Sequence, residues 1–487
     1  MRLSVAIALI LAASQANAAA ETVLSANATI TNDDTAGGVN FLDLLSYVKP
    51  TFYSVTEPNE AGVSNKYYVD FTSGSGTTCS QGSPCADVTV VGGKAGTSGG
   101  PVVIYVKGNG YLNLTASQLA GSAGNEIVIK PWPGDSTPTV WTAAGGCNIG
   151  NANTIAGSNT HHIIFDGGPD MLIRFKGSGC TSSQNGYTTV VKSNDITLYR
   201  VRIDANDSGG PALGPATSAT TANFRFINSE IYGATRYYGV YTGGGATCDA
   251  SAGDNTSHTN MEFRNSIFRQ IDGRGIQIEP RFGSSGIIID GNVFHDVGYN
   301  RSGTSSISGA VQPADACLPN GQDITDGVVS NNLMWDLGGG GVMMFVDGAT
   351  WEVYNNTIWD YANSSDSPTT NSHGITCSTA DSCSPKVKNN IILAPAQGGL
   401  EPIHRMDSNP NTNDNVCESG SACGSGAITG TAATIFDSTS TSSSSFLKPN
   451  GNALNNCLIQ TEAEFDYLLV DRGTVGGATD CGSINEP

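Results

Sequence analysis

Charge is scarce in this chain, and what there is leans one way. Only 14% of its residues are Asp, Glu, Lys or Arg, and 43 acidic against 23 basic side chains leave a formal net charge of -20. Binding a phosphate backbone takes Lys and Arg in excess, so nucleic acid is excluded as the expected partner. Long apolar runs are missing too. Beyond the N-terminus no segment approaches the ~18 uncharged apolar residues that a spanning helix requires, and no membrane span is expected. Lysine is absent between Lys192 and Lys386. Residues that favour helices are few.

The N-terminus itself has a different character. Met1-Arg2-Leu3, an apolar run over residues 5–13 and Ala16-Asn17-Ala18 have the form of a secretory signal peptide. Residues 1–18 are therefore expected to be removed on export, which places the mature protein outside the cell or in the periplasm. Twelve cysteines suit such an oxidising compartment. Cys79/Cys85, Cys377/Cys383 and Cys417/Cys423 share one spacing and each closes a small polar loop. Sequential pairing would join Cys147 to Cys180, Cys248 to Cys317 and Cys457 to Cys481, although spacing does not fix connectivity. The paired spacing is longer than zinc sites prefer, so disulfides are the expectation.

Glycine is abundant, at 61 residues in 487, and stretches of Ser, Thr, Asn and Gly break the chain into short pieces suited to strands. Two phrases recur. The first reads apolar, any, Asn or Gly, Asn or Ser, any, apolar. Its copies begin at Phe226, Phe263, Ile289, Val329, Val353 and Val387, at irregular spacings. The second is Gly followed by alternating apolar residues, beginning at Gly239, Gly275, Gly309, Gly341 and Gly374. Two or three short strands per repeat, with turns that accept insertions, describe one coil of a parallel β-helix. Asn suits the turn because its amide tolerates left-handed backbone and bonds main-chain groups; stacked copies should form a ladder. Weaker copies extend upstream near His162, Thr188 and Ile196, with earlier strands at residues 102–106, 127–130 and 139–141. Residues 41–48, after Asn40 and before Pro50, carry a short amphipathic pattern that predicts a helix over the open N-terminal end.

Lys66-Tyr-Tyr-Val-Asp-Phe-Thr-Ser-Gly-Ser-Gly76, followed by the Cys79–Cys85 loop and Ala86-Asp-Val-Thr-Val90, resembles the leading strand of the secreted right-handed parallel β-helix, or pectin-lyase-like, superfamily. The coil phrases resemble its repeats. The resemblance implies an all-β solenoid over residues 66–400, with an N-terminal cap segment at 19–65 and a C-terminal cap or tail at 401–487 that contains the Ser/Thr run at 439–445. That superfamily includes polysaccharide lyases, glycoside hydrolases, epimerases and adhesins without catalysis, so activity has to be argued from a site.

Strand alternation points to one. If Ile276 and Ile278 face inward, Gln277, Glu279 and Arg281 face outward. The same register exposes Tyr241 before them and Met343, Phe345 and Asp347 after them, on coils ~4.8 Å apart. Nine of the thirteen arginines fall between Arg200 and Arg301, which reads either as a salt-bridged surface or as an anion-binding groove. A lyase acting on a uronate polymer must neutralise a carboxylate, remove the α-proton and stabilise the leaving oxygen. Arg281, Glu279, Asp347 and Tyr241 are the candidate catalytic residues, with Arg236, Arg274, Gln277, Phe345 and His373 as substrate contacts and His295 and Arg301 on a following loop. The resemblance implies acidic calcium ligands and a Lys base on such a strand for lyases acting on alginate and chondroitin sulfate; here Arg281 and a lone Glu279 stand there instead. A hydrolase on the same face would pair Glu279 with Asp347. His373-Gly374 is similar to the His-Gly pair of polygalacturonases, whose other motifs are missing. Calcium is the candidate cofactor, at Asp204 and Asp207 or at Asp407, Asn409 and Asn411, where oxygen ligands alternate. The expected function is binding an extracellular acidic polysaccharide and cleaving it by β-elimination, with hydrolysis, or a rod-like adhesin or filament subunit, as alternatives.

Overall fold

The structure is a computed structural model. It describes residues 55, 63–95, 101–114, 119–143, 152–157, 160–177, 187–205, 211–215, 221–234, 238–242, 258–279, 284–299, 309–314, 326–345, 350–364, 372–377, 385–398, 400–406, 412–418, 423–440, 447, 449–450, 457–458, 478–479 and 481–482.

Three long sheets run side by side along the solenoid. The first extends from Asn65–Asp70 to Thr412–Asn413, the second from Asn109–Gly110 to Ile428–Thr429 and the third from Asn153–Ala156 to Ile403–His404. One coil shows the plan: Glu262–Arg264 in the first sheet, Ile267–Ile271 in the second and Ile276–Ile278 in the third, before the chain returns to the first sheet at Ile287–Asp290. Strands within the three sheets pair in parallel throughout, for example Phe263 with Ile289 and Ile276 with Val311. This is a right-handed parallel β-helix, the hand that parallel crossovers almost always take.

Both phrases stack in register. Phe226, Phe263, Ile289, Val329, Val353 and Val387 form one continuous column of partners in the first sheet, each fully buried in the core. Val240, Ile276, Val311, Val342 and Ile375 form the equivalent column in the third. The glycine that opens the second phrase has a steric reason. A Cβ on Gly275 would lie 2.6 Å from the Ala310 carbonyl oxygen, and Gly239 meets Gly275 of the next coil in the same way. A side chain there would hold the coils apart.

The Asn phrase divides its labour between two positions. The first residue turns the chain in left-handed backbone: Asn228, Asn265, Asn331, Asn355 and Asn389 have φ between 47° and 58°, and Gly291 takes the place with φ 64°. The second residue builds the ladder. Asn292 Nδ2 donates to Asn332 Oδ1 at 3.0 Å, Asn332 to Asn356 at 2.9 Å, Asn356 to Asn390 at 3.0 Å and Asn390 to Asn415 at 3.0 Å. Each amide also donates to a main-chain carbonyl, as Asn332 does to Ile289 at 2.9 Å. Ser266 and Ser229 continue the column with hydroxyls. Removing one rung strands buried donors and acceptors, each costing about 1–3 kcal/mol. Asn332→Ala should therefore lower the unfolding free energy by about 2–4 kcal/mol, read from the midpoint of urea denaturation.

Each end of the solenoid carries a helix. Val88–Ala95 packs Val88 and Val91 into the main core and lies against Asn65–Asp70, with the Asp87 carboxylate accepting the Val90 amide at 3.1 Å. This is the residue that satisfies a free N–H at a helix start. The helix expected at residues 41–48 lies outside the described residues. At the other end the short helix Ala432–Ile435 buries Ile435 beside Ile391 and Val416 of the second sheet. Two of the expected disulfides are present, Cys79–Cys85 and Cys417–Cys423, and Cys377 and Cys481 are also disulfide-bonded. Cys147, Cys180, Cys248, Cys317 and Cys383 lie outside the described residues.

The outer face of the second sheet carries a charged cluster with almost no exposure. Glu230 receives Arg269 Nε at 2.7 Å and lies 3.0 Å from Arg202 Nε, while both guanidinium groups stack over the Tyr232 ring at 4.8 and 4.2 Å. The nearby charge of Arg202 does not offset the burial of Tyr232, whose phenol is pushed above its ordinary range.

Candidate active site

In the third sheet the strands from Val240–Tyr241 to Ile403–His404 each turn their second residue outward. Tyr241 pairs with Gln277 and Gln277 with Gln312, while the flanking Val240, Ile276, Ile278 and Val311 fill the core. Farther along, Met343 pairs with Thr376 and Thr376 with His404. The outward ladder of the sequence reading is therefore present, but it is covered. Gln277 and Gln312 are each 4% exposed, and Met343 and Thr376 are as deeply buried. Among the described residues of this face, Tyr238, Tyr241, Arg274, Glu279, Phe345 and His404 are partly exposed.

Arg274 sits three residues before Gln277, just ahead of its strand, and draws the cluster together. Its Nη1 donates to Tyr238 Oη at 2.9 Å and to Gln277 Oε1 at 2.5 Å, and its Nε donates to Gln312 Oε1. The guanidinium also lies 5.0 Å from the Tyr238 ring centre, and Tyr238 packs against Tyr241 at 5.6 Å. Gln277 passes the chain of hydrogen bonds on to Glu279 Oε2, and the Glu279 amide donates to Thr242 Oγ1 at 3.0 Å. Tyr187 closes the group from the preceding coils. Burial raises its phenol far above the ordinary value, and Tyr241, Glu279 and Tyr238 add to the effect, so this hydroxyl keeps its proton.

The other described arginines of the 200–301 cluster are spoken for. Arg200 pairs with Asp166, Arg202 and Arg269 with Glu230, Arg225 with Glu262, and Arg264 with both Glu262 and Asp290. Among the described residues Arg274 makes no ion pair: oxygens of two glutamines and a tyrosine hold it, none of them charged as an amide or phenol. A salt-bridged surface thus accounts for most of the cluster, and Arg274 is its exception.

The remaining predicted residues divide into three groups. Arg281, Asp347, Arg236, Arg301, Asp207, Asp407, Asn409 and Asn411 lie outside the described residues. His295 is corrected from a loop to the strand Val293–Val297: it is buried against Trp335 and 3.4 Å from Asp336, and lies apart from the Arg274 face because that strand belongs to the second sheet. Asp204 lies in the second sheet near Arg202 and Tyr232. His373 is buried and stacks on His404, three coils from Arg274. The sequence reading missed Tyr238, Tyr187 and Gln312. The first two stand just before strands, where alternation says nothing, and Gln312 was hidden behind the more conspicuous Gly309. Two adjoining clefts of about 380 and 370 Å³, lined by His161, His162, Lys192, Asp195 and Arg225, also occupy the turn between the third and first sheets.

No protein-family profile and no curated protein matches the chain. Solved structures do. A pectate lyase, Pel9A, superposes with a TM-score of 0.52 at 13% identity, covering 88% of this chain and 98% of that one. A rhamnogalacturonan lyase aligns with a TM-score of 0.47 at 13% identity, over 82% of this chain and 97% of its own. At such low identity the likeness shows the fold, which is that of the pectin-lyase-like parallel β-helices.

Proposed function

We propose that the protein binds an extracellular acidic polysaccharide at the Arg274 cluster and cleaves it by β-elimination. The observation that carries this reading is the state of Arg274. It is a partly exposed guanidinium oriented by three neutral oxygens, in a segment whose other described arginines are already paired with carboxylates. A uronate carboxylate would supply the missing anion, and its neutralisation is what lowers the barrier to losing the adjacent proton.

In the reaction the C5–H electrons form the C4–C5 double bond, the C4–O4 bond breaks, and the proton lost from carbon is balanced by one delivered to the leaving oxygen. Tyr241 and Tyr238, packed beside Arg274, are the proton-transfer groups. Tyr187 keeps its proton and belongs to the apolar cluster against which Tyr241 packs. Glu279 supplies a carboxylate to this hydrogen-bonded group. Elimination is preferred to hydrolysis because Arg274, held by neutral oxygens, offers the cation that a uronate carboxylate needs. The N-terminal export segment supports an extracellular setting for the substrate.

Incubating the purified protein with polygalacturonate, alginate and glycosaminoglycans tests the reading. Polygalacturonate comes first, because a pectate lyase shares the fold. Ultraviolet absorbance from unsaturated chain ends should rise on one polymer. Reducing ends without that absorbance would mean hydrolysis, and no cleavage of any acidic polymer would remove the proposal.

A further inference from the structure

Four strand steps beyond Gln277, the third sheet ends on His404, and here the chemistry changes. His373 precedes Ile375–Cys377 and Glu401 precedes Ile403–His404 in the neighbouring coil. The His373 and His404 rings stack almost parallel, 3.9 Å apart with 3° between their planes. Glu401 ties both down. His404 Nδ1 donates to Glu401 Oε2 at 2.5 Å, while His373 Nδ1 lies 2.9 Å from the Glu401 amide nitrogen and 3.2 Å from the Glu401 carbonyl oxygen.

We propose that His373, Glu401 and His404 form a binding site for one borderline divalent transition metal, of which zinc is the representative. One ligand atom from each of the three residues lies within 4.8 Å of the others. Two imidazoles and a carboxylate are a donor set that zinc accepts, with the remaining position open to water. Four-coordinate zinc draws its donors to about 3.4 Å from one another, as bonds of about 2.0–2.1 Å at tetrahedral angles require. Closing from the present spacing also requires the His404 ring to turn out of the stack, because two parallel rings cannot aim in-plane lone pairs at one ion; the His404 and Glu401 side chains, 23% and 46% exposed, have room for it.

The contacts to residue 401 suit this use. Each ring turns Nδ1 toward Glu401. In the metal-free protein the Glu401 N–H donates to His373 Nδ1 and His404 Nδ1 donates to the Glu401 carboxylate, so binding would exchange these hydrogen bonds for bonds from the two Nδ1 atoms and the carboxylate to the ion. Arg405, the adjacent cation, is occupied with the Cys377 carbonyl at 3.1 Å. Nitrogen donors also separate this site from calcium, which takes oxygen ligands. The site lies about 14 Å along the sheet from Arg274, counting three strand steps from Arg274 to His373, and stands independently of the proposed cleavage.

Titration calorimetry of the full chain with Zn²⁺, in millimolar Ca²⁺ to occupy exposed carboxylates, is the test. One equivalent should bind with micromolar or tighter affinity, and Co²⁺ should give the visible absorption of a low-symmetry nitrogen- and oxygen-bound ion. His404→Ala, at a partly exposed position, should weaken Zn²⁺ at least 100-fold while leaving the thermal midpoint of the metal-free protein within a few degrees; His373→Ala should do the same to binding if it folds. Absence of saturable binding, or equal affinity in the wild type and His404→Ala, would overturn the proposal.

Discussion

Replacing Arg274 with alanine should lower kcat/KM on the uronate polymer by about 10²–10³-fold, the usual effect of removing one preorganised donor to developing charge. The loss should fall mainly on kcat, because the guanidinium matters most when the carboxylate takes on enolate character. Arg274→Lys should recover only part of it, since an ammonium cannot hold Gln312, Tyr238 and Gln277 while also presenting a planar pair of donors. Arg264→Ala is the matching control. It removes a cation of the same segment already committed to Glu262 and Asp290, and activity should be unchanged. Equal loss in both variants would show that the segment's overall charge, and not the Arg274 position, governs the reaction.

The largest effect on stability is expected at Glu230. Its carboxylate is fully buried between Arg202 and Arg269, which are 4% and 2% exposed. Glu230→Gln keeps the shape and removes the charge, leaving two desolvated cations with Asp204 as the remaining nearby carboxylate for Arg202. Breaking a buried pair from one side costs about 3–5 kcal/mol, which chemical denaturation would read as a clear fall in midpoint with little change in slope. Removing all three charges together in favour of apolar residues should cost far less, because it is the uncompensated charge that is expensive. If the single variant lost under ~1 kcal/mol, the cluster would have to be behaving as a solvated surface pair.

Much of the fold was legible because a solenoid writes the same requirement into every coil. Phe263 and Ile289 are neighbours in space for the same reason that their phrases look alike: each follows one turn of the helix and precedes an Asn or Gly that bends the chain into the next sheet. Alternation then gave the orientation of Ile276 and Gln277 correctly. It could not give what covers an outward side chain, so Gln277 and Gln312 turned out buried. Nor could it reach residues just outside strands, such as Tyr238 and Arg274, where the contacts that define the site are made. The arginine cluster left two readings open for a related reason. Most of its partners, such as Asp166 for Arg200, sit a coil away and are invisible to local sequence. His295 shows the same limit, because a short Asn-Val-Phe-His run does not announce which sheet it joins.

The side-chain column through Asn292, Asn332, Asn356, Asn390 and Asn415 has a direction: in each link the N–H of the earlier residue points to the oxygen of the later one. Its amide dipoles therefore lie head to tail, and each polarises the next. An interior rung is strengthened from both sides and a terminal one from one side only. Asn415→Ala should then be milder than Asn332→Ala although both lose an amide, and lengthening the rod by whole coils should reinforce every rung already in place.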